Sequence, residues 1–155
     1  MRPIIFECKE IIPGTALEIC SNITNVSRWS EFKGYGFLPG IASAEYEAQT
    51  SNMIAARIRV RNTDGSGHVE EICEWKPGKK IVLKLHQFTP PLNRLATHFI
   101  EEWNFEAANN STLVRRSFQL YPTQSVTRPF LWLISLFFKR AIVRHLAEMK
   151  RAAQV

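Results

Sequence analysis

Residues 129–151 read PFLWLISLFFKRAIVRHLAEMKR, and the role of this stretch decides the architecture of the 155-residue chain. Its first ten residues carry no charge. Three roles compete for such a run: a membrane anchor, a buried helix, or the wall of an apolar binding site. A membrane span needs about 20 apolar residues, and Lys139-Arg140 interrupts this one too early. Beyond Arg140, Ile142, Leu146 and Met149 recur at helical spacing, which gives that half one apolar face. Pro129 is acceptable in a first helical turn, with Ser125 or Thr127 as cap. A helix from there to about Arg151 is roughly 40 Å long at about 1.5 Å per residue. Such a helix needs an apolar sheet face to lie on.

That face is found by threading the strands. Residues 3–12, PIIFECKEII, read as a first strand ended by Pro13-Gly14. Thr15 is placed to cap a helix over ALEICSNI, and Asn25 to cap a second short helix over NVSRWSEF. After Gly34 the pattern has a period of two. Asp64-Gly65 predicts a tight hairpin, which puts Ile58, Val60, Val69, Cys73 and Trp75 on one face. Arg57, Arg59, Arg61, His68, Glu70 and Glu74 then share the wet face. A one-residue bulge in the Pro77-Gly78 turn adds Ile81, Leu83 and Leu85 to the dry face. THFIEEWNFE adds Phe99, Trp103 and Phe105, and TLVRRSFQLY adds Val114, Phe118 and Leu120. The expectation is an antiparallel sheet with one dry face covered by the last helix.

Three charged residues interrupt the dry face in this threading: Glu71, Glu101 and Arg116. Counting across the Asn109-Asn110 turn places Glu101 opposite Arg116, where carboxylate and guanidinium can bond. The pair is open to three readings: a self-satisfied ion pair, a polar anchor for a ligand, or a site of acid–base chemistry with Glu71 or Glu101 as catalytic candidate. His68, His86 and His98 fall on the wet face and His145 on the charged half of the last helix, so no metal set converges. There is no G-x-S-x-G elbow. GYGFLPG, residues 34–40, has the glycines of a flexible flap or bulge. Trp29 reads as packing between helix and sheet.

The order of strand, two short helices, a run of antiparallel strands and a long last helix resembles the START-like (SRPBCC) superfamily. The details are similar to its polyketide cyclase/dehydrase and lipid-transport group. The resemblance is carried by IIPGTALEICSNITNVSRWSEF at 11–32, HVEEICEWKPGKKIVLKL at 68–85 and EEWNFEAANNSTLVRRSF at 101–118. It implies one α+β helix-grip domain over residues 1–155, a curved antiparallel sheet wrapped around the C-terminal helix. The implied activity is binding of a small hydrophobic ligand such as a lipid, polyketide or quinone, as carrier or sensor. The expected cavity is lined by Trp75, Leu83, Phe99, Trp103, Phe118, Leu133 and Phe137, with Glu101 and Arg116 as its polar members. The alternatives are a cyclase or dehydratase using the cavity carboxylates, and a protein-interaction module with a collapsed cavity. The glycine-rich phosphate-loop-like segment of the plant allergen branch is missing.

Composition narrows the partners. The net charge is +6, yet the basic residues form no single run and no RNP-like stacking motif occurs, so nucleic acid is not expected. Six basic residues against Glu148 lie between Arg128 and Arg151, a composition that suits peripheral contact with anionic lipid. The other readings of the apolar half-helix are burial under the FTPPLNRLA loop, a cavity wall and a dimer contact, so monomer and homodimer both stay open. Three cysteines without a CxxC pair indicate neither a disulfide framework nor zinc. No cofactor is expected, and the expected location is cytoplasmic.

Overall fold

The computed structural model describes residues 2–154. Strand β1 (Ile4–Pro13) leads into α1 (Ala16–Thr24), followed by a 3-10 turn over Val26–Glu31. Six strands follow: β2 (Ile41–Ala48), β3 (Arg57–Asn62), β4 (Gly67–Lys76), β5 (Lys80–His86), β6 (Ala96–Ala108) and β7 (Ser111–Pro122). A one-turn helix, α2 (Leu92–Leu95), precedes β6, and α3 (Arg128–Ala153) ends the chain. The seven strands form one antiparallel sheet in the order β1-β7-β6-β5-β4-β3-β2.

Local chemistry sets the helix ends. Thr15 accepts from the Glu18 amide (3.2 Å) while the Glu18 carboxylate accepts from the Thr15 amide (3.3 Å), a reciprocal capping box. Asn25 makes no such bond to the following turn; its side chain accepts from the Ser27 hydroxyl instead (2.6 Å). Thr127 precedes α3 without capping it, its hydroxyl turning back to the Gln124 carbonyl (2.8 Å), and Pro129 occupies the first turn.

The expected sheet is present, but two registers differ from the threading. The β3–β4 connection is a four-residue loop in which the Asn62 amide bonds the Ser66 carbonyl (2.8 Å), so Val60 faces His68 and Ile58 faces Glu70. A one-residue slip reverses every side chain of a strand. His68 and Glu70 therefore point inward, while Val69 and Glu71 lie on the opposite face of the sheet, where Val69 is nonetheless fully buried. The bulge lies at Cys73 in β4 rather than in the Pro77-Gly78 turn; it leaves Cys73 exposed and returns Trp75, opposite Ile81, to the inner face. The β6–β7 turn pairs Trp103 with Arg116 and Glu101 with Phe118, a shift of two that preserves the faces but changes the partners.

The sheet's inner face and one face of α3 form the core. Leu131, Phe138, Ile142 and Leu146 are buried at the spacings that place them on one helical stripe. The Phe138 ring lies 4.7 Å from Phe118 and 5.5 Å from Phe6, and Phe6 stacks on Phe118 at 4.9 Å. No helix among the described residues is long and apolar enough to cross a membrane.

Candidate functional site: a cavity under the last helix

Sheet and helix do not close completely on each other. Between them lies a cavity of about 550 Å³. Leu83, Leu85 and Phe99 supply part of its sheet wall, Ile134, Phe138 and Ile142 part of its helix wall, and Phe32, Phe37 and Leu38 part of a third side. That third side belongs to a small flap. The Tyr35 and Leu38 backbones bond each other in both directions (3.0 Å each) around Gly36-Phe37, with Gly36 at a φ of 58°. The flap rests on α3 through Phe37 and Phe137, 4.3 Å between ring centres, and through Arg140, which donates to the Tyr35 hydroxyl at 3.1 Å.

One cluster of polar groups in the cavity is built around Arg116. Its Nε and Nη2 donate to one oxygen of Glu101 (3.1 and 2.7 Å), and Nη1 donates to His145 Nδ1 (2.9 Å). Its guanidinium lies 4.0 Å above the Trp103 ring, a cation–π contact. Glu101 and Arg116 are only 5% and 6% exposed, so the ion pair is removed from bulk water. Two of the five guanidinium N–H groups and the second Glu101 oxygen remain outside these bonds. Glu70, bonded to His68 (3.1 Å), is a second inward carboxylate.

Burial raises the Glu101 pKa against the lowering by Arg116, and Glu70 raises it further. The Trp103 indole N–H adds a lowering influence, although it reaches no acceptor at hydrogen-bond geometry. His145 is driven the other way, to about 3, first by burial and then by Arg116 and Arg28. It is therefore neutral, with Nδ1 as acceptor for Arg116 and the proton on Nε2. One part of the cavity presents a guanidinium, a carboxyl and an imidazole N–H beside the apolar walls, and Asn62, Asp64, Ser66, His68 and Glu70 add further polar groups to its lining.

Of the residues named from sequence, Leu83, Phe99, Glu101, Trp103 and Arg116 line this space. Phe118 faces inward but belongs to the packed core, with no exposed surface, and Trp75 is half-buried, packed against that core. Leu133 is exposed on the far side of α3, and Phe137 lies under the flap. Glu71 points outward to Arg57 (3.7 Å), because the β3–β4 register reverses it, and it cannot act in the cavity. Glu70, His68 and His145 were missed. The first two were hidden by the same slip; for His145 the signal was its spacing of three from Ile142 and four from Met149, which keeps it on the inward side. Trp29 is half-buried, donates to the Ile23 carbonyl (2.7 Å) and touches the cavity. No group of metal-ligating side chains occurs among the described residues.

No protein-family model matches the sequence, and no curated protein matches it. Solved structures do match by shape. The Zhui aromatase/cyclase from a Streptomyces species superposes with a TM-score of 0.73 at 12% identity, over 96% of this chain and 94% of that one. A START superfamily protein from Mycobacterium smegmatis gives 0.69 at 12%, over 96% and 97%. The chain has the START-like helix-grip fold. A major latex-like protein from Panax ginseng shares this START-like fold with a TM-score of 0.64 at 13% identity, over 94% of this chain and 98% of that one. The helix-grip arrangement read from the strand and helix order is therefore correct across nearly the whole chain.

Proposed function

We propose that the protein is a one-domain carrier or sensor that holds a small hydrophobic molecule carrying one polar group. The observation that carries this reading is the apolar cavity ending at Glu101, Arg116 and His145. Its volume, about 550 Å³, falls in the range of small-molecule sites, where few polar groups orient a ligand against apolar walls. A lipid, a polyketide or a quinone has that character, its carbonyl, hydroxyl or carboxylate meeting the free N–H groups. The collapsed interior of a pure interaction module is not what this cavity resembles. Native mass spectrometry with solvent extraction of protein purified from its own host tests the proposal. An apolar molecule should be recovered, and it should be lost from Arg116→Met. No recovered molecule, together with no uptake of a fluorescent fatty acid, would rule the reading out.

A second reading rests on the raised pKa of Glu101, which suits a proton donor or acceptor, and on the shared fold with an aromatase/cyclase. Here Glu101 would move a proton during ring closure or dehydration of a polyketide-like substrate. Turnover abolished in Glu101→Gln, with binding retained, would favour it over the carrier.

A further inference from the structure

The face of α3 opposite the cavity is the second unusual surface. Phe130, Trp132, Leu133, Leu136 and Val143 are 60%, 55%, 47%, 42% and 52% exposed. All but Phe130 fall within one helical face, and Lys139 and Arg140 lie in the same sector. A soluble helix ordinarily places polar residues there. The apolar stripe also runs toward the cavity, because Phe137 touches the exposed Phe37 of the flap, whose ring lines the interior.

Charge discriminates between occupants. The helix carries six basic residues and one acid, Glu148, which is already paired with Arg144 (3.1 Å). Lys139 has no ion-pair partner among the described residues. A second copy of the chain packed on this face would bring Lys139 and Arg140 against their equivalents, a like-charge juxtaposition. An anionic lipid surface meets both features, with apolar side chains entering the acyl boundary and cations reaching the headgroups. We propose that this face of α3 docks the protein on anionic bilayers, with the flap and cavity mouth held against the lipid. Docking needs no ligand in the cavity, so it stands apart from the identity or presence of the cavity's contents.

The test uses the full chain and vesicles of phosphatidylcholine alone or with phosphatidylglycerol. Co-sedimentation should occur with the anionic vesicles at low salt, be weak with phosphatidylcholine alone, and be reversed by high salt. Lys139→Gln with Arg140→Gln should lower partitioning roughly 30-fold, about 2 kcal/mol at about 1 kcal/mol per cation. Trp132→Gln with Leu136→Gln should abolish binding at equal charge while leaving the far-ultraviolet circular dichroism and melting temperature near those of the wild type. Absence of sedimentation with anionic vesicles, or binding unchanged in both double variants, would overturn the proposal. So would a concentration-dependent dimer that Leu136→Gln dissociates, since the face would then be a contact between copies.

Discussion

Arg116 is worth most at the level of single residues because it is buried together with Glu101 and Trp103. A guanidinium with this little exposure is tolerable only while Glu101 and His145 accept its protons. Arg116→Met leaves Glu101 buried without a counterion and should cost about 3–5 kcal/mol in urea unfolding at neutral pH. Glu101→Gln keeps an acceptor for the guanidinium and should cost less. Equal losses would mean that charge pairing is not what holds the cluster. His145 supplies a separate test, by pH. Its folded pKa of about 3 lies below the ordinary 6.5, so between these values the unfolded chain binds a proton that the folded chain does not. Stability from this group is complete above pH 6.5 and is lost as pH falls, by about 1.4 kcal/mol per unit. Glu101 acts with the opposite sign above its ordinary 4.5, where the folded chain retains the extra proton. Comparing wild type with His145→Gln isolates the histidine: the variant should lose less stability between pH 6.5 and 4. Parallel pH profiles would show that His145 is protonated in the folded protein.

The elements show why some of this could be read in advance. Helix α3 was legible because its inward residues, Phe138, Ile142 and Leu146, repeat every four positions, and β6 and β7 because Phe99, Trp103, Val114 and Phe118 alternate strictly. Strand β4 was not. The bond from the Asn62 amide to the Ser66 carbonyl widens the Asp64-Gly65 turn by one residue, which composition does not reveal, and the Cys73 bulge then conceals the slip by restoring the face downstream. The site residues inherited both outcomes: Glu101 and Arg116 from the regular pair, Glu70 and His68 lost with the irregular one. Packing predicts a clear contrast along α3. Phe138→Ala removes a ring packed on three others and should cost about 3–5 kcal/mol, while Trp132→Ala on the exposed face should stay within about 0.5 kcal/mol. In the flap, a Cβ on Gly36 would approach Phe137 to 2.8 Å from a backbone φ of 58°. Gly36→Ala should therefore loosen the flap from α3 and speed exchange of a fluorescent fatty acid in stopped flow, with little change in the sheet's circular dichroism. Unchanged exchange would mean that the flap does not control the mouth.

At the scale of the whole molecule, a fold that keeps about 550 Å³ open beneath its longest helix leaves part of its apolar interior without packing partners. An occupant restores those contacts, so binding and stability are one equilibrium. A molecule present at about 100 times its dissociation constant stabilises the folded state by about 2.7 kcal/mol. For a chain of this length that is a rise of roughly 5–10 °C in melting temperature, and protein stripped by solvent extraction should melt lower than protein as purified. Leu85→Trp separates a ligand effect from a general solvent effect. Leu85 lines the cavity and is 6% exposed, so the larger ring has space there if the cavity is open in solution. The variant should keep the stripped protein's melting temperature or raise it, and lose the shift on adding the fatty acid. A closed interior would respond differently, because overpacking costs about 1–3 kcal/mol; a melting temperature lowered by several degrees would show that sheet and helix meet without the gap on which ligand binding depends.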